Sequence, residues 1–184
     1  MSEAFDVTAK RDSYLVETLC ALVDHDVHFV VAGGVAAVLH GVERMTLDLD
    51  VAVSLDRANL ERFLTALRKL ELEPRAPVPA EFILQPARID QLIREKNALV
   101  FTFWSPREPY RQIDMFLTRE NSFDYLVADA QELSIRGRTI RFASRQKLID
   151  MKRRVQPVRP KDLSDIQALK QIEEEEQKRD EGHP

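Results

Sequence analysis

The sequence predicts an α/β protein: a β-sheet of mixed direction with helices packed on it, followed by a C-terminal helical pair. Three observations predict this class. A short apolar, β-branched run, His28 to Ala32 (HFVVA), is cut by Gly33-Gly34 and continues into a small-residue helix, which is the pattern of strand, glycine turn and helix. Leu47 to Val53 (LDLDVAV) alternates apolar and other residues with period two and leads into a strongly amphipathic helix. Ala98 to Trp104 (ALVFTFW) and Arg111 to Leu117 (RQIDMFL) read as strands joined by a loop with Pro106 and Pro109, the pattern of an antiparallel pair.

The elements follow in order. Leu15, Val16, Leu19, Leu22 and Val23 recur at helical spacing after Asp12-Ser13, a pair suited to cap a helix start, so a first helix is expected to about Asp26. After the first strand and the glycine pair, the helix Val35 to His40 closes at Gly41. Asp56 caps the next helix, whose apolar face is Leu60, Phe63, Leu64, Leu67 and Leu70. Pro74, Pro77 and Pro79 break the pattern, and Ala80 to Asn97 reads as a loop with one helical piece after Pro86. Phe123 to Glu132 is a helical turn or loop, and Leu133 to Phe142, with Arg136-Gly137-Arg138 between two apolar pieces, is a small hairpin. Ser144 caps a helix carrying Leu148, Met151 and Val155, and a last helix follows Pro160 with Leu163, Ile166 and Leu169, ending in a charged tail that is expected to fray.

At 184 residues the chain has the length of one domain, divided as a core over 1–143 and a helical segment over 144–184 that packs on it. Apolar residues make up 44% and charged residues 32%, an ordinary globular balance, and no apolar run approaches the roughly 20 residues that cross a bilayer. Met1 to Lys10 lacks the basic start and apolar run of a secretory signal, so the expected location is the cytoplasm. Cys20 is the only cysteine, which excludes an intramolecular disulfide and a cysteine-rich zinc site. Ser144 to Lys161 holds seven Lys or Arg against the single Asp150, a balance suited to a polyanionic partner.

Chemistry concentrates in three aspartates. Strand alternation turns Asp48 and Asp50 to one side and Leu47, Leu49, Val51 and Val53 to the other. Two readings fit this spacing: a strand with one wet face, or a divalent cation neutralising two carboxylates that would otherwise repel. Asp114 lies opposite the apolar face of Ile113, Met115 and Leu117, where it needs either an arginine or a metal ion as partner. Gly33-Gly34, between a strand and a helix start, forms either a plain tight turn or a place where a phosphate approaches backbone N–H groups. Lys147, Lys152 and Lys161 are either solvated helix surface or cations for a triphosphate or an RNA backbone. Asp162 and Asp165 start the last helix and favour its dipole. His28 and His40 read as structural, and Trp104, with Phe101 and Phe103, as core.

The run VVAGGVAAVLHGVERMTLDLDVAV resembles the motif of polymerase-β-type minimal nucleotidyltransferases, a glycine pair followed by a Thr-x-Asp-x-Asp strand, and Asp114 in QIDMF matches the third carboxylate. FDYLVADA, the small hairpin, SRQKLIDMKRR and RPKDLSDI are similar to the AbiEii-like group, which includes toxins of type IV toxin–antitoxin systems. The resemblance covers roughly residues 12 to 170 and departs from many enzymes of the superfamily at Val35, where they carry a serine. It implies the nucleotidyltransferase fold, Gly33 and Gly34 as phosphate contacts, Asp48 and Asp50 as metal ligands and Asp114 as the third carboxylate, activating the attacking hydroxyl. It further implies Thr46 as a residue that positions the motif or a phosphate, Mg²⁺ or Mn²⁺ as cofactor, and an NTP as substrate. RNA (tRNA) or protein is the implied acceptor, and a cognate antitoxin the implied partner. Two alternatives stay open beside nucleotidyl transfer: a catalytically weak nucleotide- or partner-binding module of the same fold, and a metal-dependent nuclease.

Overall fold

The computed structural model describes residues 14–46, 48–96 and 98–181. The Asp12-Ser13 cap, Met1 to Lys10, Leu47, Asn97 and the last three residues of the tail lie outside them. Helix α1 (14–24) leads into β1 (Phe29–Ala32), α2 (Gly33–Leu39), β2 (Leu49–Val53) and α3 (Arg57–Lys69). Next come β3 (Glu73–Pro74), a 3₁₀ turn (Ala80–Leu84), α4 (Pro86–Lys96), β4 (Val100–Trp104) and β5 (Gln112–Phe116). The chain closes with α5 (Phe123–Val127), the hairpin β6 (Gln131–Ile135) and β7 (Arg138–Phe142), then α6 (Arg145–Arg154) and α7 (Pro160–Glu181).

The strands form one sheet in the order β3-β4-β5-β2-β1-β7-β6. Its direction is mixed: β2 runs parallel to β5 and β1 to β7, while the β1–β2, β3–β4, β4–β5 and β6–β7 pairs are antiparallel. Central strands buried on both faces read as unbroken apolar runs, and β1 (FVVA) is buried at every position. The outer strands β4 and β5 alternate instead, with Phe101, Phe103, Ile113 and Met115 in the core and the intervening residues half-buried. Phe63 of α3 meets Phe103 edge-on at 5.7 Å, a contact that contributes about 0.5 to 1.5 kcal/mol beyond its buried area.

The helix caps form as their residue types require: Asp56 accepts from the Asn59 N–H at 2.9 Å, and Ser144 from the Lys147 N–H at 3.3 Å. Gly41, at φ +97°, ends the glycine-turn helix in a conformation that β-carbons disfavour. Three expectations are corrected. Glu73 and Pro74 form an edge strand, pairing with Trp104 and Phe103. Pro86 sits at a helix N-terminus, where its missing N–H costs nothing, so the expected helical piece is a full helix of 11 residues. Leu163 is exposed, and Ile166 and Leu169 alone of that trio reach the core. The charged tail is a helix end as expected, with α7 running to Glu181. No helix among the described residues is long and apolar enough to cross a membrane.

Candidate active site

The glycine pair, expected as a turn before a helix starting at Val35, instead forms the first residues of α2, directly after β1 and beside the start of β2, and each glycine has a close neighbour. Gly33 has φ +58°, and a Cβ on it would fall 1.9 Å from Oδ2 of Asp50. A Cβ on Gly34 would fall 2.4 Å from Oγ1 of Thr46 and 3.3 Å from Nη2 of Arg44. The Gly34 N–H also donates to the Asp50 carboxylate. The pair therefore seats the β2 carboxylate and the Thr46 side chain against the backbone.

Asp50 faces Asp114 directly across the parallel β2–β5 pair, and Asp114 in turn faces Thr102 of β4. Asp48 stands exposed just before β2. Burial first, and then the charges of Asp114 and Asp48, push the Asp50 carboxyl up to about 6, against the opposing pull of the Gly34 N–H and of Lys152. Burial also raises Asp114, as does Asp48, although Oδ1 accepts from Thr102 Oγ1 at 2.5 Å and Oδ2 from Gln112 Nε2 at 3.3 Å. Among the described residues no group of three or more His, Cys, Asp or Glu side chains is placed to hold a metal ion. The donor set nevertheless suits a hard divalent cation: all its donors are carboxylate oxygens, and their mutual repulsion is what such an ion would relieve.

Lys152 and Lys161 part company. Lys152 is buried, with Nζ 2.5 Å from Oδ2 of Asp165 and 3.6 Å from Oδ1 of Asp162, and its charge is felt at Asp50. Lys161 is exposed at the start of α7. Asp162, in the first turn of α7 as its expected dipole role requires, and Asp165 are also buried ion-pair partners. Asp165 also binds Arg44, and Asp162 binds Arg159 at 2.6 Å. Burial alone would raise the Asp162 carboxyl; Arg159, with Lys152 and Lys161, holds it below the usual range. Much of the basic stretch is likewise engaged inside the molecule, with Arg145 on Glu176 and Lys147 over the Tyr125 ring at 3.4 Å.

Trp104 requires a correction. It shares its face with Thr102, opposite Phe101 and Phe103, is half-buried, and carries the Arg75 guanidinium 5.2 Å from its ring centroid. Strict alternation along VFTFW already separates it from the two phenylalanines. Arg44 and Arg75, which the sequence reading missed, lie in loops without a periodic pattern, and only tertiary placement reveals them. His40 is structural as expected, its Nε2 2.8 Å from the Ala143 carbonyl, and Cys20 is a buried free thiol. A concavity of about 730 Å³ lined by Leu55, Ile83, Ile89 and Leu117 among others lies at the far ends of β2 and β5 and contains none of the three aspartates.

This topology has close counterparts among solved structures. The lincosamide antibiotic adenylyltransferase LnuA, bound to lincomycin, superposes with a TM-score of 0.57 at 15% identity, over 87% of this chain and 96% of that one. The fold is that of the nucleotidyltransferases. The antibiotic-resistance factor ANT(2'')-Ia gives a TM-score of 0.55 at 16% identity, over 88% and 83% of the two chains. An antigenic nucleotidyltransferase-like protein from Paracoccidioides brasiliensis gives 0.50 at 15%, over 85% and 74%. No protein-family model and no curated protein sequence matches the chain. The nucleotidyltransferase fold explains why the glycine turn and the strand carboxylates meet: the β1–α2–β2 unit brings them to one end of the sheet.

Proposed function

We propose that the chain transfers a nucleoside monophosphate from an NTP to an acceptor hydroxyl, with Mg²⁺ or Mn²⁺ held by Asp48, Asp50 and Asp114. The observation that carries this reading is the carboxylate pair Asp50 and Asp114, in register on adjacent strands with Asp48 close enough to raise both and with the glycine turn packed on Asp50. A divalent cation there supplies charge neutralisation for the triphosphate.

The rest of the chemistry belongs to the chain's own side chains. Asp114 takes the proton of the attacking hydroxyl; a bond forms from that oxygen to the α-phosphorus, and the bond to pyrophosphate breaks. The raised Asp114 carboxyl suits a base, and Thr102 and Gln112 orient its two oxygens. Gly33, Gly34 and Thr46 border the phosphate side. Lys152 is the cation nearest the carboxylates from α6, and exposed Lys161 contributes only to a longer polyanion. RNA or a protein hydroxyl is the acceptor class, in the cytoplasm. The AbiEii-like segments support a toxin role with a separately encoded antitoxin as partner.

A second reading, a nucleotide-binding module with a weak site, draws on one observation: among the described residues no three His, Cys, Asp or Glu side chains are placed to hold a metal ion. Incubation with each labelled NTP, Mg²⁺ or Mn²⁺ and total RNA or protein separates the two. Label transfer, lost in Asp50→Asn, supports the transferase; nucleotide binding without transfer supports the module. RNA shortening in the absence of NTP would indicate a nuclease instead.

A further inference from the structure

Beyond Asp114 the sheet carries Trp104, which neither the carboxylate chemistry nor the core cluster uses. On the face bearing Asp114, β4 and β5 are half-buried at every position: Val100, Thr102 and Trp104 on one strand, Gln112, Asp114 and Phe116 on the other. Trp104 pairs in register with Gln112, and Thr102 with Asp114. The indole thus stands two residues, about 7 Å, along β4 from the residue that hydrogen-bonds the proposed base. Arg75 completes the group. Its backbone N–H donates to the Thr102 carbonyl at 2.9 Å, its Nη1 donates to Gln112 Oε1 at 2.9 Å, and its guanidinium lies over the Trp104 ring. Gln112 then reaches Asp114, so the group is joined to the carboxylate by a continuous chain of hydrogen bonds.

We propose that Trp104 and Arg75 form the acceptor subsite, a stacking platform for the base of a single-stranded nucleic acid whose terminal hydroxyl faces Asp114. The inference rests on the nucleotidyl-transfer reading. Sheet order assigns the platform to the acceptor: the glycine turn and Asp50 lie on the β1–β2 side of Asp114, whereas Trp104 and Arg75 lie on the β4–β3 side. Its chemistry selects a nucleotide. An indole face and a guanidinium plane both stack on a flat ring, and the charge of the exposed Arg75 guanidinium attracts a ring joined to phosphates and repels a cationic ring or drug. A peptide hydroxyl brings neither a large flat ring nor a phosphate.

Trp104 is the only tryptophan in the sequence, so its fluorescence reports this subsite alone. The full chain, with Mg²⁺, is titrated with a short mixed-sequence single-stranded oligoribonucleotide, and separately with an NTP, a serine-containing peptide and a cationic antibiotic. Saturable quenching by the oligonucleotide is expected, with little from the others. Anisotropy of the labelled oligonucleotide should show affinity falling about tenfold or more in Trp104→Leu and in Arg75→Ala, and largely kept in Trp104→Phe. Arg75 is exposed, so Arg75→Ala keeps the test open if Trp104→Leu fails to fold. No quenching at saturation, unchanged affinity in the folded variants, or equal quenching by NTP alone overturns the assignment. Oligonucleotide binding without transfer would remove the reaction and leave the platform. Transfer to another acceptor with Trp104 silent would do the reverse.

Discussion

Asp50 and Asp114 stand opposite one another on the parallel strands β2 and β5, and the first of them is packed against a glycine with φ +58°. Burial first, and then the neighbouring carboxylates, make the metal-free site electrostatically costly, and the predictions follow from that cost and from the groups arranged around it.

The Asp50 carboxyl, pushed up to about 6 from 3.8, ionises later in the folded chain than in the unfolded one. Below 3.8 both states are protonated and the strain is absent; as pH rises from there through about 6 the folded state loses stability relative to the unfolded, and above 6 the full cost is present. Asp50→Asn should therefore raise the metal-free melting temperature at about pH 8 and leave it nearly unchanged at about pH 3.5. Mg²⁺ should raise the wild-type melting temperature more as pH rises through 6 and should lose most of that effect in the variant. A melting temperature for Asp50→Asn below wild type at both pH values would make Asp50 structural.

Asp114→Asn separates a base from a carboxylate that only anchors Thr102 and Gln112. NTP affinity should persist through Asp48, Asp50 and the glycine turn, while single-turnover transfer falls by about 10² to 10⁴. Normal transfer in a folded Asp114→Asn protein would remove the three-carboxylate mechanism.

Gly33→Ala should damage the site before it meets any phosphate. The left-handed backbone alone costs about 1 to 2 kcal/mol with a β-carbon, and that carbon would overlap the Asp50 carboxylate. Loss of both thermal stability and Mg²⁺ response is expected, read by melting curves with and without the ion; a wild-type curve would show that Asp50 moves away freely.

Asp165 joins Lys152 of α6 to Arg44 of the loop before β2, so it holds the C-terminal helices to the site. Asp165→Ala leaves two cations short of their carboxylate, and breaking such a buried pair costs about 3 to 5 kcal/mol. Denaturant unfolding should show a loss of that order, with Lys161→Ala, at an exposed position, within about 0.5 kcal/mol of wild type. A small effect of Asp165→Ala would mean that α7 is held by its apolar residues and its other ion pairs, Lys152–Asp162 and Arg145–Glu176.

By itself the sequence determined what local rules govern. Period two set the faces of β2 and β5, so Asp50 and Asp114 could be turned away from the core before any strand was placed, and Asp56 and Ser144 announced their helices because a cap satisfies N–H groups within three residues. Tertiary structure decided the rest. Strand register, which sets Asp50 against Asp114 across 64 positions of chain, depends on how helices pack on the sheet. The same holds for Asp165, read from the sequence as serving a helix dipole: it is buried because Lys152 and Arg44 arrive from distant segments to neutralise it. Trp104 shows the division within one residue, since its face was implicit in the alternation of its strand, whereas its partner Arg75 lies in an irregular loop that pairing of β3 with β4 carries to it.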